Sequence, residues 1–271
     1  MAAAAHPPVA AYRTPRPLRL GLVALAGLLA VFMVAQGTIH LLDLALRHTS
    51  TETTSYADVT RLVIDDDSDV HLTSAPAGGP VEVRARITEG LSSPTRDAEQ
   101  TGDGELRLSS SCATFLSEWC GVDYDVRVPA GTAIDVETSS GDVTVENVSS
   151  EEPVTLSTSA GDVDALGVTA PSVRLDTSAG DIDARAIHAR NVVADTSAGD
   201  IKLSLESPLR RVDTNTSAGD IHLVVPDAVY ALRTDTSAGD VDTGELRTSP
   251  RGTAEINAVT SAGDIRIEPR R

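Results

Sequence analysis

Seven aspartates recur in one context. Asp142, Asp162, Asp181, Asp200, Asp220, Asp240 and Asp264 each follow a glycine, and a serine stands three residues before each of them. Carboxylates and hydroxyls at a fixed repeat are hard oxygen ligands, and calcium takes six to eight of them. The same groups also satisfy backbone N–H groups in tight turns, as Asx- and ST-type turns. The ladder therefore has two readings, a calcium site or a structural corner. The nonapeptide Gly-Gly-x-Gly-x-Asp of calcium-binding β-rolls is absent, which favours the corner. Aspartates stacked at a strand spacing of about 4.8 Å repel by about 0.9 kcal/mol per neighbour at the dielectric of water. The structural reading must supply hydrogen bonds that offset this.

The positioning elements follow from the spacing. The glycines are Gly141, Gly161, Gly180, Gly199, Gly219, Gly239 and Gly263, at steps of 20, 19, 19, 20, 20 and 24 residues. Self-similarity at such a period marks a repeat architecture. Before each glycine, apolar residues and threonine alternate, as in Val154, Leu156, Thr158 or Val173, Leu175, Thr177. After it they fall on even positions, as in Ile182 and Ala184 or Ile201 and Leu203. A straight strand cannot change parity, because one residue of slip sends every side chain to the other face. The chain must bend at the Ala-Gly step, where glycine opens backbone conformations. Each period is thus strand, corner, strand and a variable return.

Two all-β architectures fit. In a β-solenoid, β-helix-like, each 19- to 20-residue period is one coil and like residues stack. In an antiparallel sandwich each period is a hairpin. The solenoid is preferred, since two-residue hairpin turns favour Asn-Gly or Asp-Gly over Ala-Gly. Aromatics are only 3% of the chain, as suits a thin core of stackable medium side chains.

The 271 residues carry a formal net charge of −18, and of the 40 acids only Asp43 precedes residue 50. An acidic domain lacks the basic face that phosphate binding needs, which excludes nucleic acid as a partner. Residues 1–19 read as a disordered cytoplasmic tail with Arg13, Arg16 and Arg19. Residues 20–39 hold no charge, long enough to span a bilayer, and the membrane helix is expected over 20–47. The arginines place the N-terminus in the cytoplasm and the rest outside the membrane, as a single-pass membrane protein. A cleaved signal peptide is the competing reading. Residues 48–56 read as a Thr/Ser-rich linker and 57–268 as the repeat domain. Leu62, Ile64, Val70 and Leu72 around residues 65–69 resemble a worn repeat, while the polar residues 92–104 read as a loop. Residues 268–271, Glu-Pro-Arg-Arg, are expected to protect the last open edge.

Cys112 and Cys120 are the only cysteines. Outside the membrane they are expected to bond, and so short a loop stabilises by about 2.6 kcal/mol on a chain-entropy estimate. Phe115 and Trp119 within it cover the first coil or form an apolar contact site. A metal site built on two cysteines is weaker, because His71, His188 and His222 fall at unrelated places in the repeat. The layout continues with residues 122–132, Val-Asp-Tyr-Asp-Val-Arg-Val-Pro-Ala-Gly-Thr, and then the Thr-Ser-Ala-Gly-Asp-Val/Ile repeats. Over residues 20–268 it resembles the bacterial adhesin-like family called domain of unknown function 4097 (DUF4097), in a membrane-anchored actinobacterial form. The resemblance implies an all-β, solenoid-like extracytoplasmic domain and no reaction.

Three function classes follow. The first is a non-enzymatic, membrane-anchored surface module, adhesin-like, that contacts envelope polymers or surface proteins, with no cofactor or with calcium on the aspartate ladder. The second is an envelope-stress sensor or accessory protein acting through the membrane helix. The third, least supported, is a polysaccharide-active enzyme, which needs convergent carboxylates in a cleft.

Overall fold

Alternation before the corner and parity reversal after it give every period two short strands with one apolar face each. Two such faces bury each other when like strands stack. The computed structural model describes residues 16–112, 120–206 and 208–270. It places the strands in two eleven-stranded sheets around one core. The strands that follow the corners form the front sheet and those that precede them form the back sheet. Ile134, Val136 and Thr138 lie in register under Val154, Leu156 and Thr158, and these under Val173, Leu175 and Thr177. In the front sheet Val143, Val163, Ile182, Ile201 and Ile221 make one column. The pairing between coils is parallel, and the hairpin sandwich is set aside. Eleven strands at about 4.8 Å span roughly 48 Å.

A short third side closes three of the coils. Ser149, Thr169 and His188 form bridges there, and Val148, Val168 and Ile187 fill its inner face. It starts at Asn147, Gly167 and Ala186, which share the left-handed conformation with φ near 54°, 67° and 53°.

Coil order departs from chain order at both ends. Arg211–Ala218 pairs with Ala254–Ala262, and Val229–Ala238 lies outside that strand. The corner glycines therefore stack as 141, 161, 180, 199, 219, 263, 239. Side-chain polarity explains the exchange. The chain-terminal coil points Ile256, Ala258, Ile265 and Ile267 inward, all at most 1% exposed. The coil before it offers Leu232, Thr234, Val241 and Thr243, with Val241 still 45% exposed. Fully burying one isoleucine contributes about 1.5–3 kcal/mol, so the more apolar coil goes inside and the more polar one caps the stack. The edge expected at residues 268–271 is only partly displaced: Val241–Asp242 covers Ile265 and Arg266 as the outermost front strand, while Glu268 and Pro269 pair only inward, with Val224 and Val225, and the outermost back strand is Arg247–Thr248. Residues 243–253 carry the chain around Val229–Ala238. A Cβ on Gly252 would meet Ala231 N at 2.3 Å, so only glycine permits this crossing.

The worn repeat is likewise internal. Arg61–Asp66 lies between Glu105–Ser111 and Ala133–Thr138, and Val70–Ala75 between Gly121–Pro129 and Val143–Glu146. Beyond it the pairing turns antiparallel. His48–Tyr56 is not a linker: it pairs along its whole length with Val81–Glu89 as the front edge strand. Thr95–Gln100, expected within a loop, is the back edge strand. Both edges are polar, which discourages edge-to-edge association. Two bridges close this end: Arg96 Nη1 donates to Glu52 Oε2 at 2.8 Å, and Gln100 Nε2 to the Ala57 carbonyl at 2.6 Å. The arginine holds the Glu52 carboxyl below its usual range.

An α-helix, Arg16–Leu46, precedes the first strand. Arg16 and Arg19 belong to it rather than to a disordered tail, and Ala24–Leu46 is apolar and long enough to cross a membrane. Cys112 and Cys120 are disulfide-bonded with Cα atoms 5.8 Å apart. Phe115 and Trp119 lie outside the described residues.

Candidate functional site

The corner is built from threonine, glycine and aspartate acting between coils. The inward threonine three residues before each glycine donates its hydroxyl to a corner carbonyl of the neighbouring coil, a glycine's except for Thr138, which donates to Ser68; all are buried but Thr236, half-buried in the outermost coil. Thr158 donates to Gly141, Thr177 to Gly161, Thr196 to Gly180 and Thr260 to Gly219, at 2.9 to 3.1 Å. The glycines stack so closely that a Cβ on Gly161, Gly180, Gly199, Gly219 or Gly263 would stand 1.9–2.3 Å from the neighbouring glycine's oxygen. Close approach, more than turn geometry, is why the residue is glycine.

The aspartates form a continuous zipper. Asp162 N–H donates to Asp142 Oδ1, Asp181 to Asp162, Asp200 to Asp181, and Asp220 to Asp200, at 2.7–2.9 Å. The exchange of coils is carried through: Asp264 N–H donates to Asp220 and Asp240 N–H to Asp264. A hydrogen bond to a charged group contributes about 1.5–3 kcal/mol, more than the roughly 0.9 kcal/mol repulsion between neighbours at high dielectric. The hydrogen bonds of the zipper therefore offset the crowding of its carboxyl groups. The local Asx- and ST-turn expectation is corrected on both counts. The carboxylates bond the next coil's backbone, and the serines, Ser159 and Ser178 among them, are exposed while threonine does the inner work.

The column is longer than the glycine count implies. Asp142 N–H donates to Asp69 Oδ1 at 3.0 Å, and Ser68 occupies the glycine place in a corner one residue shorter. Its signal was in the chain, since Asp69 precedes Val70 and Leu72 as Asp142 precedes Val143 and Val145. Asp123 extends the row again, opposite Arg86. Burial and then the Asp69 charge raise the Asp123 pKa, and Arg86 opposes the rise. Beside the zipper, Asp164 is raised by burial and then by Asp183, Asp162 and Asp142. His71 and His222, unrelated in the linear repeat, share one outward row of the front sheet with Asp164 and Lys202, whereas His188 is on the third side.

What this arrangement can do chemically is limited by its regularity. One oxygen of each bonded aspartate is committed to a backbone N–H. Among the described residues no group of three or more His, Cys, Asp or Glu side chains is placed to hold a metal ion. The expected result is a melting temperature that is the same in millimolar calcium and in chelator. A calcium-dependent rise measured by calorimetry would return the column to a binding role.

A second polar feature lies at the antiparallel end. Asp66 takes the place of the buried threonine in its coil, pairing with Thr138. It is 3% exposed, its Oδ1 accepts the Asp67 N–H at 2.7 Å, and its Oδ2 is buried without a hydrogen-bond partner. Burial raises its pKa above the ordinary aspartate value. The folded state thus holds this proton more tightly than the unfolded chain. The stability it contributes is present at low pH and lost as pH rises through the folded pKa. Asp66→Asn is expected to stabilise at neutral pH by on the order of 1 kcal/mol, because the amide leaves no buried charge. The gain disappears below the ordinary carboxylate range, and melting curves across pH check both limbs.

A stacked, parallel, two-sheet solenoid with a zipped corner defines a class of repeat proteins. The family described as Toastrack, DUF4097, matches residues 100–268, and the chain belongs to it. Solved structures with a similar fold include an adhesin-like protein of Bacteroides fragilis, at 15% identity and a TM-score of 0.47 over 82% of this chain and 97% of that one. Another, from Parabacteroides distasonis, is named for lipid binding, at 11% identity and a TM-score of 0.42 over 83% and 97%. A search of curated proteins finds no significant match.

Proposed function

We propose that this chain is a membrane-anchored, extracytoplasmic contact module without catalytic activity, whose rod presents flat acidic faces to envelope polymers or surface proteins. The observation that carries the reading is the helix. Ala24–Leu46 is apolar over 23 residues, and its most apolar window is left uncovered by protein. A helix of that length bare to solvent is explained by lipid. On the rod, charges pair locally along open strands, as Arg174 with Asp176 and Arg211 with Asp213. Such pairing supports a contact surface over a reaction centre.

The test is a full chain with a C-terminal epitope, expressed in intact bacterial cells. The reading expects the epitope in the carbonate-washed membrane fraction, and its loss when protease is added outside the cells. An epitope in the soluble fraction, or one protected from external protease, contradicts it.

Envelope sensing is the second reading, favoured by one observation. Only Arg47 separates the helix from the edge strand His48–Tyr56, so a load on the rod passes to the helix without a flexible linker.

A further inference from the structure

From Ala24 to Leu46 the helix is bare except along one line. Among its side chains from Ala24 to Leu46, only Asp43 is buried, at 1% exposure, and Ile39 one turn earlier is half-buried. Residues four apart share a side of a helix. The partner of Asp43 comes from the domain: the Leu91 N–H donates to Asp43 Oδ1 at 2.7 Å. Leu91 sits in residues 90–94, which join Val81–Glu89 of the front sheet to Thr95–Gln100 of the back sheet, and the Gly90 N–H closes on the Ser92 carbonyl at 3.2 Å.

Depth makes this contact informative. Asp43 precedes the last helical residue, Leu46, by three positions, so the loop reaches about 4.5 Å back along the helix from its end. At that level Leu41, Leu42, Leu44 and Leu46 are 50–69% exposed, and Leu91 beside them is 38% exposed. A carboxylate this close to hydrocarbon is costly unless it is paired, and the loop supplies a donor. With a bilayer around the helix, a loop reaching back past the helix end meets the headgroups.

We propose that residues 90–94 form a membrane contact, with Leu91 set in the headgroup region at the depth of Asp43, so that the solenoid is held to the bilayer at two points. The inference rests on the anchoring reading above. The partner is the lipid surface itself, because Leu91 is exposed and its N–H is bonded to the helix at Asp43, between the exposed Leu42 and Leu44. Asp43 is the positioning residue: it fixes the loop to the helix and thereby the angle of the rod.

The test uses the full chain reconstituted in vesicles of phosphatidylethanolamine and phosphatidylglycerol. An environment-sensitive dye is placed on Leu91→Cys or, at the far end of the rod, on Asp242→Cys. Lipids spin-labelled near the headgroup are expected to quench the dye at residue 91 several-fold more than at residue 242. Asp43→Ala lowers the quenching at residue 91, and Asp43→Asn, whose amide oxygen still accepts the N–H, restores it. Equal quenching at the two positions in a chain that floats with the vesicles overturns the loop contact and leaves the anchor standing. Unchanged quenching in Asp43→Ala overturns the positioning role. A chain that does not float with vesicles overturns the anchor and the loop contact together.

Discussion

Gly199→Ala is expected to destabilise the domain by about 3 kcal/mol or more, a magnitude at the upper end for overpacking. The added Cβ would stand 1.9 Å from the Gly180 carbonyl oxygen and 3.0 Å from Asp181 Oδ1. Neither atom can yield cheaply. The carbonyl accepts the Thr196 hydroxyl, and Asp181 accepts the Asp200 N–H at 2.8 Å. Relief means parting two coils, and that breaks the hydrogen bonds on both sides of the corner. At about 2–4 °C per kcal/mol for a domain of this size, the melting temperature falls by roughly 10 °C. Gly131→Ala is a control: that glycine has φ near 94° but open space around a new Cβ, so it reports left-handed strain without a clash. Equal, small losses for both variants, measured by calorimetry, would mean that the corners do not stack.

The second large effect is a reversal of rank. By chain order Gly263 belongs to the last coil and Gly239 to an inner one. A terminal coil yields most easily, so chain order expects Gly239→Ala to be the more harmful. The structure expects the opposite. A Cβ at residue 263 meets the Gly219 oxygen at 2.0 Å in a coil paired on both sides. A Cβ at residue 239 meets the Gly263 oxygen at the same 2.0 Å, but its coil is the outermost and can move outward. The difference is expected to be about 2 kcal/mol in unfolding free energy, with Gly263→Ala the weaker protein. Denaturant melts of the two variants measure it.

The parts that were readable in the chain are those carried by local chemistry. The parity change across residues such as Leu175, Gly180 and Ile182 required a bend, and the near-constant step required stacking. The disulfide followed from there being only two cysteines. Coil order was hidden because every corner fits every other. Thr-Ser-Ala-Gly-Asp at residue 239 stacks as well on 263 as on 219, and periodicity carries no term for which neighbour wins. The deciding signal was weaker, namely Thr234 and Thr243 at inward positions where Ala258 and Ile267 stand in the following coil. His48–Tyr56 looked like a linker because an edge strand with both faces exposed needs no apolar alternation; what defines it is the partner Val81–Glu89. The zipper itself was only half legible. Aspartate at each corner is plain in the sequence, but that its carboxylate bonds the next coil rather than its own turn depends on the approach that glycine allows.

Cysteine pairs in the exposed alanine column test the stacking most directly. Ala218 is in register with Ala262, and Ala262 with Ala238. With a short bifunctional thiol crosslinker, Ala218→Cys/Ala262→Cys and Ala262→Cys/Ala238→Cys are expected to crosslink fully within the folded chain. Ala218→Cys/Ala238→Cys, two strand spacings or about 9.6 Å apart, is expected to stay unlinked. Efficient crosslinking of 218 to 238, with none of 218 to 262, would contradict the stacked and exchanged coils on which the fold rests.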